Sequence, residues 1–431
     1  MTTFEQSPAG SMLRAPIVRE PNGPTRRRFM QGLLAVGGVA AGLPTFLAQA
    51  AAAATPIGTT DGVLVVVTLR GGNDALNTLV PISGSHRSRY EQLRQTLALA
   101  PETLLPVGEE HGLHPSLSRL AARFTAGQVA VVRGMGTFGD LSHFNTQATL
   151  MAGTAGTSRA TGWLGRYGDG LTEWDGGLRA VAVGNAVPLH LVGTRVKVTA
   201  LPAPGDLWGA DTAATWERSA HECLRAFAAS STGLGTWGDR VAVVQRDALD
   251  RAGPVAPLYA PGLPAAGLGR DLTLAARLIN ADLGTRCVAA ELQGWDTHAF
   301  QLPSHAAQLA QLDQAIETFF ATLTPAFAQR VTMLVVSEFG RRPAANASQG
   351  TDHGAAGLAF VVGNNVRGGL YGAQPSLTTF DAAGNLVPTV DFRSLYNSVL
   401  TPWLAGTSSL LGGSYEDLQL FRAGPGATPS A

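Results

Sequence analysis

The hydrophobic pattern alternates between continuous apolar runs and stretches of helical period. Val63–Leu69 (VLVVVTL) and Val331–Val336 (VTMLVV) are unbroken and rich in β-branched residues, which predicts strands buried on both faces of a parallel sheet. Shorter runs at Val129–Val132, Ala180–Val183, Cys287–Leu292 and Leu358–Val362 predict further strands. Between them the period changes to that of a helix. Segment 87–98 predicts a helix of mixed character. Leu117, Leu120, Ala121 and Phe124 share one helical face, and Gly127 stops it. Asp271–Leu283 predicts an amphipathic helix, and residues 304–323 predict the clearest one, with Ser304 as its N-cap. Asp391 is placed to cap a helix from Phe392 to about Leu404. Strands alternating with helices predict an α/β fold: a doubly wound, mostly parallel sheet with helices on both faces.

The ends of the chain change the domain picture. Thr25-Arg26-Arg27-Arg28-Phe29-Met30 is followed by no charged residue until Asp61, and Gly32–Ala48 is mildly apolar and broken by Pro44. Ala48-Gln49-Ala50 offers a small-residue cleavage site. Together these predict a twin-arginine signal peptide and leader over 1–54. The expected destination is periplasmic, cell-surface or secreted, with the membrane involved only during export. A single α/β domain over 55–423 follows, with a Gly/Pro/Ala-rich insertion near 190–270 containing a helical piece at Thr215–Ala229. A flexible tail occupies 424–431.

Composition adds exclusions. The 431 residues carry 31 basic and 31 acidic side chains, for a formal net charge of zero, so the basic face that nucleic-acid binding needs is not expected. Two cysteines, Cys223 and Cys287, are too few for a disulfide framework. Cys287, inside an apolar run, is expected to be a buried free thiol.

The candidate chemistry gathers just past strand ends. Asn73-Asp74, Ser142-His143, Asp296-Thr297-His298, and Glu338 with Asp352-His353 each follow a predicted strand or its loop. In open α/β sheets, ligands bind beyond the carboxyl ends of the strands. Carboxylates mixed with imidazole suit a divalent metal ion (zinc, manganese or calcium) better than a thiolate or iron–sulfur site. Ser142 is then a candidate nucleophile, and Arg341 or Arg342 a candidate anion clamp. Each residue also has a plainer explanation. Asp74 suits a helix cap, His114 a helix entry before Pro115, Asp296 and His298 a surface turn, and Arg341-Arg342 a solvated turn.

The stretches LRGGNDALNTLVP, LSHFNTQATLMAG, GWLGRY, LQGWDTHAFQ, SEFGRRPAANASQGTDHG and VDFRSLYNSVLTPWL resemble the bacterial family called domain of unknown function 1501, over about Val63 to Leu404. That resemblance implies the alkaline phosphatase/sulfatase-like superfamily and its doubly wound sheet. It also implies an exported metal-dependent hydrolase acting on phosphate or sulfate esters. In that reading Asp74, Asp296, Glu338 and His353 hold the metal, Ser142 attacks, His298 orients or protonates, and Arg341 stabilises developing charge. The partner would be a small anionic ester substrate. Two departures bear on this: Glu338 replaces the superfamily's Asp, and Phe339 stands where it has a His or Asn ligand. They leave open a catalytically inactive binding or surface-assembly protein with a cell-surface partner.

Overall fold

The computed structural model describes residues 56–136, 140–154, 160–171, 178–184, 186–202, 223, 226–229, 233, 235–259 and 261–427. The expected signal peptide, residues 215–222, 224 and 225 of the expected helical piece and the last four residues of the tail lie outside them. Nine strands form the central sheet: β1 Val63–Arg70, β2 Val129–Gly136, β3 Ala180–Val183, β4 Val198–Leu201, β5 Cys287–Gln293, β6 Val331–Ser337, β7 Ala356–Val362, β8 Gly369–Tyr371 and β9 Val390–Asp391. Their order is β8-β2-β7-β6-β1-β5-β3-β4, with β9 also pairing β2. Only β7 runs against its neighbours; the other pairings among these strands are parallel.

Besides the one-turn helices Ala75–Thr78 and Pro325–Ala328, the described helices are α1 Gly84–Arg94, α2 Ser118–Thr125, α3 His143–Ala152, α4 Trp163–Gly170, α5 Gly235–Val255, α6 Gly267–Asn280, α7 Gln301–Thr322 and α8 Phe392–Leu404. Successive side chains of a strand point to opposite faces, so β1 feeds two cores. Val63, Val65, Val67 and Leu69 pack with α6 and α7 on one side. Leu64 and Val66 pack with α4 and α8 on the other. This is the doubly wound, mostly parallel α/β sheet that the apolar runs predict.

Several local expectations are corrected. The long helix α7 starts at Gln301, not after Ser304. Pro303 is tolerated in a first turn because an N–H is surplus there, and the Ser304 hydroxyl bonds back to the Gln301 carbonyl at 3.1 Å. The stretch near 190–270 is not simply an insertion, since β4 extends the main sheet beside β3. Asp391 does cap α8, its Oδ1 accepting from Arg393 N at 2.8 Å. Cys223 and Cys287 are both free, the second buried. Among the described residues no helix is long and apolar enough to cross a membrane.

Candidate metal centre

Register decides which loops meet. Leu69 of β1 lies opposite Ser337 of β6, and Arg70 lies opposite Gln293 of β5. The next residues of all three strands, Gly71, Gly294–Asp296 and Glu338, therefore emerge side by side. Because β7 is antiparallel, its leading loop returns to the same edge. Arg341 pairs with His353 in a short antiparallel ladder there. Strand β2 also ends at this edge, followed by Leu141, Ser142 and α3. The close approach depends on Gly71 and Gly72, with φ of +127° and +87°, a region that favours glycine. A Cβ on Gly71 would run into the Asp296 backbone, and one on Gly72 into the Phe339 ring.

Among the described residues, one group of three metal-capable side chains converges: His143, Asp296 and His353, whose ligand atoms all lie within 4.8 Å of one another. His143 Nε2 is 3.4 Å from Asp296 Oδ2, and His353 Nε2 is 3.2 Å from Asp296 Oδ1. The other nitrogen of each ring is committed. His353 Nδ1 donates to the Leu141 carbonyl at 3.0 Å, and His143 Nδ1 donates to Glu338 Oε1 at 2.9 Å. A neutral imidazole has one donor and one acceptor nitrogen. Both Nε2 atoms therefore carry lone pairs, aimed at a carboxylate that only accepts. Three acceptors facing one another repel unless a proton or cation lies between them, so this donor set fits a divalent ion. His298 joins from the exposed side, its Nε2 3.0 Å from both Asp296 Oδ1 and His353 Nε2.

The electrostatics favour the ligand forms. Burial, the largest influence, pushes the His353 pKa down despite the opposing bond to Asp296, and the Arg341 charge lowers it further. For Asp296, burial pushes upward, but the hydrogen bond from Arg341, with the charges of Arg341 and His298, holds it below the usual carboxylate range. Below the histidines lies Phe339, buried, its ring centroid 5.0 Å from His143 and 4.4 Å from His353.

The other expected residues are placed differently. Asp74 does not join this group. It is fully buried, paired with Arg94 at 2.8 and 2.6 Å, bonded by the Gln301 amide, and it caps the helical turn Ala75–Thr78. The plainer helix-cap explanation describes it. Glu338 is also outside the converging three, facing the far side of His143. Arg341 is no exposed clamp: it is fully buried and donates to the carbonyls of Gly71, Gly72, Trp295 and Thr351 and to Asp296 Oδ1 at 2.7 Å. Ser142 sits at the N-cap of α3, with no side-chain cap bond, directly before His143. Sequence reasoning passed over His143 itself, although its signal was present in the Ser142-His143 pair.

Behind the centre lies a second, buried polar cluster. His305 of α7 donates from Nε2 to Asn73 Oδ1 at 3.0 Å and meets His114 edge-on. Burial, opposed by the Asp74 charge, lowers the His305 pKa from 6.5 to about 4. The unfolded chain therefore binds the extra proton first as pH falls. The stability tied to keeping this ring neutral is complete above pH 6.5 and drains away between about 6.5 and 4. We expect on the order of 3 kcal/mol from this residue, read as a falling urea midpoint across that window. His305→Gln should flatten the slope.

Strain also gathers at this edge. Leu141, Phe300 and Gln349 adopt positive φ of 56°, 45° and 57°, uncommon for non-glycine residues and typical of functional sites. Phe144 and Phe300, which flank the ligands in sequence, are 88% and 72% exposed.

The model of the family described as "Protein of unknown function (DUF1501)" matches residues 140–403. No curated protein matches the chain. Among solved structures, a Streptococcus pyogenes phosphoglycerol transferase in complex with sn-glycerol-1-phosphate is similar with a TM-score of 0.31 and 8% identity, covering 74% of this chain and 72% of that one. A 2-O GAG sulfatase is similar with a TM-score of 0.29 and 9% identity, covering 82% and 71%. At these scores neither likeness carries an argument about chemistry.

Proposed function

The chain belongs to the DUF1501 family, and we propose that it is an exported metal-dependent hydrolase acting on phosphate or sulfate esters. The observation that carries this reading is the convergence of His143, Asp296 and His353 at the carboxyl edge of the sheet, where open α/β sheets place their ligands. Two imidazoles and a carboxylate are one of the donor sets of catalytic zinc sites. A divalent ion bound there would polarise an ester oxygen and lower the pKa of a bound nucleophile. The residues of the chain supply the rest. Arg341, buried beneath Asp296, holds that carboxylate in place and ionised. His298, on the exposed side, would donate a proton to a leaving group. Ser142, at the positive end of α3, is the candidate nucleophile. The arginine-rich N-terminus supports export.

Loading the protein with zinc or manganese and assaying phosphate and sulfate monoesters tests this reading. Ser142→Ala is expected to retain the ion and lose turnover by roughly 10³-fold or more, as for other nucleophile deletions. Loss of the ion instead would remove Ser142 from its assigned role.

The second reading is a secreted binding or surface-assembly protein on the same scaffold. It is favoured by Phe339, which puts an apolar ring where the superfamily pattern has a ligand, and by the exposed Phe144 and Phe300. Bound metal with no turnover in either ester class would select it.

A further inference from the structure

We infer that Glu338 is a positioning residue that fixes His143 as a metal ligand, acting one step behind the ion; this rests on the metal-centre reading above. Glu338 stands at the rigid end of β6 and is fully buried. Its Oε1 accepts from Gly71 N at 2.8 Å, from His143 Nδ1 at 2.9 Å and from Gln147 Nε2 at 3.1 Å. Its Oε2 accepts from the Ser337 hydroxyl at 3.2 Å. His143 and Gln147 are four residues apart in α3 and so share one face. One carboxylate thus grips α3 at two points about one turn apart and ties it to the β1 turn.

The consequence for His143 is specific. A carboxylate at Nδ1 accepts only, so the proton stays on Nδ1 and the lone pair stays on Nε2, facing Asp296. The anionic partner also strengthens that lone pair as a donor, as in other carboxylate–histidine–metal arrangements. The departure from Asp now has a physical reason. From the end of β6, the extra methylene of Glu reaches across to α3, and an Asp side chain would stop about 1.5 Å short.

The test uses the full chain and zinc, by isothermal titration and by long-range nitrogen–proton NMR of the ion-free protein. Glu338→Gln, which removes the charge but keeps an acceptor oxygen, is expected to weaken zinc binding about 10–100-fold, and Glu338→Leu, which removes the acceptor, to shift His143 away from the single Nδ1–H tautomer. Gln147→Ala, at a half-buried site, keeps the question answerable should Glu338→Gln fail to fold, and is expected to weaken binding less. A merely structural Glu338 would lower thermal stability but leave the His143 tautomer unmoved. Wild-type zinc affinity in a folded Glu338→Gln or Gln147→Ala protein, or an unchanged tautomer in folded Glu338→Leu, overturns the inference. No zinc binding by the wild type at all would instead overturn the metal-centre reading beneath it.

Discussion

Asp74→Asn is expected to destabilise the ion-free protein by about 3–5 kcal/mol, the largest stability loss of any single change at this edge. The reason is the company Asp74 keeps. Its carboxylate is fully buried, grips Arg94 at both oxygens, accepts from the Gln301 amide and caps the turn at Leu76 and Asn77. An amide in its place leaves the Arg94 guanidinium buried without a counter-charge, which costs more than the pair's net worth. The damage should also travel. Gln301 Oε1 accepts from Thr351 Oγ1, and the Thr351 carbonyl accepts from Arg341 Nη1, which in turn donates to Asp296 from Nη2. Urea unfolding of ion-free wild type and Asp74→Asn measures the effect. A metal ligand would behave in the opposite way, its loss leaving ion-free stability nearly intact while abolishing binding.

Asp296→Asn is expected to produce that opposite pattern. The Asp296 side chain is 47% exposed, and Arg341 keeps its four carbonyl partners without it. Ion-free stability should therefore fall less than in Asp74→Asn. Zinc affinity should fall by more than the roughly 100-fold that bounds the loss of an outer partner, because a charged ligand itself is removed. Ester turnover, where present, should fall to the level of the ion-free protein. Calorimetry and unfolding curves on the same preparation separate the two variants. Equal metal loss in Asp74→Asn and Asp296→Asn would contradict the distinction drawn between them.

The sheet was legible because unbroken runs such as Val63–Leu69 have no other soluble home than a strand covered on both faces. The direction of β7 was not legible, since a buried strand reads the same either way. That direction is what returns His353 to the site. The extra helix α5 escaped notice because Gly235, Gly238 and Pro254 together with several valines weaken its helical signal. At the site, Asp296, His298 and His353 were readable as polar residues beyond strand ends. Asp74 had the same local signature, and nothing in its neighbourhood shows that Arg94, twenty residues on, swings back to neutralise it. Glu338 was picked out by position but assigned to the ion. Only the bond between its Oε1 and His143 Nδ1, made across the fold, shows that its side chain lies behind His143.

The most direct test of the metal centre is an anomalous difference map from crystals of the zinc-loaded protein. The account predicts one peak per chain, about 2.0–2.2 Å from His143 Nε2, His353 Nε2 and an Asp296 carboxylate oxygen. A peak bonded to Asp74, or no peak at the sheet edge after loading, would contradict it.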